Sequence, residues 1–116
     1  MKRTDLRYLI SMTGNDRILI NELIDIFIDQ VNEIGKELEE AYSRSNFEWL
    51  GKLAHKAKSS VAIMGMNKLS KKLKEFEQLI NKGRKKEEYP SYIRYFKDEC
   101  SEAIEELKTY RNTISN

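Results

Sequence analysis

The chain's 116 residues, 40% hydrophobic and 34% charged with five glycines and one proline, suffice for one core but not two, so residues 1–116 are expected to form a single domain rich in helix. Cys100 is the only cysteine, which excludes an intrachain disulfide and a cysteine-based zinc site. The formal net charge of +2 hides a basic middle: residues 51–86 hold eleven basic and two acidic side chains, against six and ten in residues 1–50 and four and seven in residues 87–116.

The start, Met1 to Arg7, is charged on both sides of Leu6 and never develops the apolar stretch of a secretory signal. The longest nearly apolar run, Val61–Met66, is too short to cross a bilayer. A soluble, cytoplasmic protein with no membrane contact is expected. A short helix is predicted around Leu6 to Met12, broken at Gly14-Asn15, with Asn15 able to cap the next helix. From Asn15 to Tyr42, Ile20, Ile24, Phe27, Val31, Ile34, Leu38 and Ala41 recur at 4-3 spacing and define one stripe of a long helix. Leu19, Leu23 and Ile26 add a second apolar face over its first half, which the short helix is expected to cover.

Ser45-Asn46-Phe47-Glu48 has the arrangement of a capping box, so a helix should run from about Asn46 to Met64 on the stripe Phe47, Leu50, Ala54, Ala57, Val61 and Met64. Gly65 can end it in a left-handed conformation and Asn67 can cap its successor. Leu69, Leu73, Phe76 and Ile80 form the next stripe, closed by Asn81-Lys82-Gly83. After a polar connector, Pro90 can sit at the start of a last helix, whose stripe is Ile93, Phe96, Cys100, Ala103, Leu107, Tyr110 and Ile114. The predicted fold is all-α, an antiparallel four-helix bundle with an additional short N-terminal helix.

At ~100° per residue, the single histidine, His55, lies roughly 130° from the middle of its helix's apolar stripe and should face solvent. Gly51, Ser59 and Ala62 share its side, with Lys52, Lys56 and Lys58 close by. An imidazole there can be a nucleophile, because its neutral form offers a lone pair. The neighbouring ammonium groups would serve as counter-ions once the ring carried a phosphoryl group. Small neighbours would let a donor reach the ring. A metal site is not expected, because no second histidine or nearby cysteine exists. Ser–His hydrolysis is not expected either, since Ser59 is one turn along the same helix and no carboxylate is placed to orient the ring.

Ala54-His55-Lys56-Ala57-Lys58-Ser59-Ser60, followed by Gly65 and Leu69 and then by Leu73 and Glu77 at helical spacing, resembles the histidine-containing phosphotransfer (HPt) family. The helix plan is similar over nearly the whole chain. The resemblance implies that His55 accepts a phosphoryl group, on Nε2, from a receiver-domain phospho-aspartate and passes it to another receiver. Lys58 would position the phosphoryl oxygens, and Gly51, Lys52, Lys56, Ser59 and Ala62 would form the docking surface. Ser59 departs from the commoner glycine and Ala57 from a larger apolar residue. Response-regulator receivers and a hybrid histidine kinase are the implied partners. Mg²⁺ would come from the partner receiver, no cofactor would belong to this chain, and the chain should act as a monomer. No Gly-rich nucleotide loop occurs, so the expected role is that of a carrier more than an enzyme.

Two rivals differ in class. A basic bundle could act as a non-catalytic protein- or nucleic-acid-binding module through Lys68, Lys71, Lys72, Lys74, Lys82, Arg84, Lys85 and Lys86. Phe47, Phe76 and Phe96 fall on core stripes, so no stacking platform is expected, and nucleic acid is not the favoured partner. An HPt-like bundle could instead dock partners without transfer, but retention of His55 speaks against that.

Overall fold

The structure, a computed structural model, describes residues 2–114. Among them there are α-helices and one 3-10 turn but no strand. The helices are α1 (Arg7–Thr13), α2 (Arg17–Ser43), α3 (Phe47–Ile63), α4 (Asn67–Lys82) and α5 (Tyr89–Ile114). The short connections fold α2 to α5 into an antiparallel bundle: α3 packs between α2 and α4, and α5 closes the ring against α4 and α2. The molecule measures 47 × 24 × 20 Å, and α1 packs at one end against α2.

The stripes read from periodicity are the faces that meet. All seven stripe residues of α2 are buried, as are Leu69, Leu73, Phe76 and Ile80 of α4. On α5 the stripe is buried from Ile93 to Leu107, while Tyr110 and Ile114 are half-buried. α3 buries a broader face than a single stripe, because it is flanked by α2 and α4: Gly51, Leu53 and Ser60 join the expected residues, and Phe47 is only half-buried. The second apolar face of α2 is covered only in part. Leu9 of α1 is fully buried, but Leu19 and Ile26 stay 39% and 51% exposed.

The caps fall one residue from where the sequence suggests. Asn15 has φ +62°, and Asp16 caps α2, its carboxylate accepting from the N–H groups of Ile18 and Leu19 at 3.0 and 3.2 Å. Ser45 likewise takes φ +54°, so Asn46 caps α3 by accepting from Trp49 N–H at 3.2 Å. The capping box is therefore not formed. Asn67 is the first residue of α4 and not its cap. Gly65 does end α3 with φ +69°, and there the requirement for glycine is double. A Cβ on Gly65 would lie 2.2 Å from the carbonyl oxygen of Asp5, because the N-terminal segment crosses this turn, Asp5 N–H donating to Met64 O at 3.0 Å. Glu106 of α5 holds the same segment, accepting from the N–H groups of Arg3 and Thr4 and from the Thr4 hydroxyl.

Candidate functional site

His55 is the ninth of the 17 residues of α3, at the middle of the helix, and its side chain is 62% exposed. Its backbone packs tightly, since Ala54 and Ala57 on either side are fully buried. The ring is not free to rotate. Nδ1 lies 3.0 Å from Oε2 of Glu77 on α4, and the other carboxylate oxygen of Glu77 accepts from Lys58 Nζ at 3.0 Å. Glu77 thus bridges the histidine and the lysine across the α3–α4 interface. Burial pushes the Glu77 carboxyl up, but the hydrogen bond and charge of Lys58, aided by His55, outweigh it and hold its pKa below the ordinary glutamate value.

An ionised carboxylate can only accept, so Nδ1 donates to Glu77, and in the neutral ring the lone pair is on Nε2. The sequence places no carboxylate beside the ring, and here the structure corrects that expectation. Glu77 was legible only as a residue at suitable spacing; its contact depends on how α4 registers against α3. The arrangement is still no hydrolytic triad, because the Ser59 hydroxyl donates to the backbone carbonyl of His55 at 3.4 Å and not to the ring.

Of the residues expected around the histidine, Lys52, Lys56, Ser59 and Ala62 are exposed. Lys52 is paired one turn back with Glu48 at 3.6 Å. Gly51 does not belong to this surface: it is buried, and a Cβ there would lie 3.2 Å from Asn81 Oδ1 and 3.4 Å from Ile80. Its small size serves the approach of α4, not access to His55. Ile63, 41% exposed, extends the patch instead. The Ser60 hydroxyl donates to Gln30 Oε1 at 3.3 Å across the α2–α3 contact. Ile26, one turn before Gln30 on α2, is 51% exposed. Among the described residues no group of three or more His, Cys, Asp or Glu side chains is placed to hold a metal ion.

A helical bundle with a solvent-facing, carboxylate-oriented histidine at mid-helix is the build of a phosphotransfer module, and the Hpt domain family model matches residues 22–110. The chain belongs to the Hpt domain family. That family works in two-component phosphotransfer, with receiver domains and kinases as its general partners. No curated protein and no solved structure matches the chain significantly. No described helix is long and apolar enough to cross a membrane.

Proposed function

We propose that this chain is a phosphorelay intermediary in which His55 Nε2 accepts a phosphoryl group from a receiver's phospho-aspartate and returns it to another receiver. The observation that carries the reading is the orientation of the ring: Nδ1 is held by Glu77 at 3.0 Å, and Nε2 is left open at an exposed mid-helix position. In the transfer, the Nε2 lone pair forms an N–P bond while the P–O bond to the aspartyl carboxylate breaks, and that carboxylate leaves with the electron pair. The ring then carries N–H on one side and the phosphoryl group on the other, hence positive charge. The Glu77 carboxylate offsets that charge without any proton having to leave, which suits a step that must run in both directions.

Lys58 has two tasks in this reading. It anchors Glu77, and its remaining N–H donors are available to phosphoryl oxygens. Phosphoryl transfer asks little more of a protein than alignment and charge compensation, so the chain acts as a carrier, with Mg²⁺ held by the receiver's carboxylates. The docking surface is Lys52, Lys56, Ser59 and Ala62, enlarged by Ile63 and Ile26.

Incubation with a panel of phosphorylated receiver domains tests the reading. The expected product is a label on this chain that is labile in acid and stable in base, absent from a folded His55→Gln variant. Acid-stable label, or label kept by that variant, would rule the mechanism out.

A further inference from the structure

The outer face of α4 carries positive charge that the fold does not neutralise. Counting ~100° per residue from the buried Leu69–Leu73–Phe76–Ile80 face, Lys71, Lys74 and Lys82 point away from the core along a ridge about 16 Å long. All three are exposed, as are Arg84 and Lys85, which continue the ridge into the connector. Among the described residues none of these five forms an ion pair. The two carboxylates of α4 do not form salt bridges with them: Glu77 is turned onto His55 and Lys58, and Glu75, one turn from Lys71, forms no salt bridge among the described residues. Like charges spaced along one helix face repel, so folding does not account for the ridge.

We infer that this ridge is a second docking element, an electrostatic seat for the acidic rim of a receiver domain engaged at His55. The inference rests on the phosphotransfer reading and adds to it the partner's charge. Two observations select this occupant. The ridge begins beside the site: Glu77, which touches His55, belongs to α4, and Lys74 lies one turn before it and about 60° round the helix, with Lys71 and Lys82 roughly a further 60–80° round. A body seated on His55 meets Lys74 first, and one broad enough to lie across α4 reaches the others. The charge is also complementary: an aspartyl-phosphate donor needs further carboxylates to hold Mg²⁺, so the rim it presents is negative. Nucleic acid fits less well. The only aromatic residue of α4, Phe76, is fully buried, and the rings under Lys72 and Lys86 are those of Tyr92, Tyr95 and Phe47, buried or half-buried and unavailable for stacking.

The test uses the full chain and the triple variant Lys71→Glu/Lys82→Glu/Arg84→Glu, with whichever purified receiver, phosphorylated by acetyl phosphate, transfers fastest. Steering of this kind raises association rates by roughly 10- to 1000-fold, so the second-order transfer rate at low salt should fall at least about tenfold in the variant. The unaltered protein should slow as salt is added, until the two proteins converge. Phosphorylation of His55 by phosphoramidate, a small donor that needs no docking, should be equal in both, as should thermal stability. Equal, salt-insensitive transfer would overturn the inference while leaving the phosphotransfer reading intact. So would normal transfer accompanied by loss, in the variant, of duplex DNA binding or of self-association. Failure of the unaltered protein to take up phosphate at His55 from either donor would overturn both.

Discussion

The carboxylate of Glu77 decides which nitrogen of His55 is free, and two substitutions separate its roles. Glu77→Gln keeps a side chain able to accept from Nδ1–H but removes the charge that offsets the phosphorylated ring, so transfer should slow in both directions while the fold persists. Lys58→Ala leaves the nucleophile in place and removes one charge contact, a loss typically worth about 1–3 kcal/mol; single-turnover transfer should slow but remain measurable. An unchanged rate in either variant would remove that residue from the site. At this scale the sequence showed much but not all. The outward direction of His55 follows from its angle to the 47-50-54-57-61-64 stripe, a local property. The Glu77 contact spans 22 residues and depends on the rotation and offset of two helices, which periodicity along one helix does not contain.

Among the elements, α3 presents one face to solvent and two to its neighbours, and substitutions can tell these apart. Ser59 is exposed and lies roughly 170° from the core stripe. Ser59→Arg or Ser59→Trp should therefore leave thermal stability nearly unchanged and yet block transfer from a receiver, whereas Ser59→Gly should be tolerated. Normal transfer in the bulky variants would move the docking surface elsewhere. Gly51 should behave in the opposite way: Gly51→Leu overpacks the contact with Ile80 and Asn81, at a cost of about 1–3 kcal/mol, seen as a lower melting temperature. Gly65→Ala should cost about 1–2 kcal/mol for the left-handed backbone alone, and more for the clash with Asp5. The stripes that pair these helices were readable because burial repeats with the helical period. Gly51 was not, since a glycine beside a surface position and a glycine under a neighbouring helix look alike without the register. The caps slipped by one residue for a similar reason: Asn15 and Ser45 took the left-handed turn and left capping to Asp16 and Asn46.

For the molecule as a whole, the N-terminal segment is tied across the α3–α4 turn and onto α5, which links the two ends of the chain. Burial raises the Glu106 carboxyl, but the N–H groups of Arg3 and Thr4, the Thr4 hydroxyl and the charge of Arg3 outweigh it, so its pKa is lowered in the folded state. A carboxylate lowered on folding stabilises the protein above its unfolded pKa, and that contribution is lost as pH falls through the folded value. Glu77 acts in the same sense. Glu106→Gln should thus lower stability near neutral pH by about 1–3 kcal/mol and flatten the loss on acidification; denaturant melts at several pH values would show it, and a variant that parallels the native pH dependence would refute the link. The bundle and the basic third of the chain could be read from residue order, but the strap could not, since it joins residues about a hundred positions apart. The account as a whole turns on one atom. Long-range nitrogen–proton and phosphorus NMR on the phosphorylated chain should place phosphorus on Nε2 of His55, with the Nδ1 proton retained toward Glu77. Phosphorus on Nδ1, or on any other residue, would contradict it.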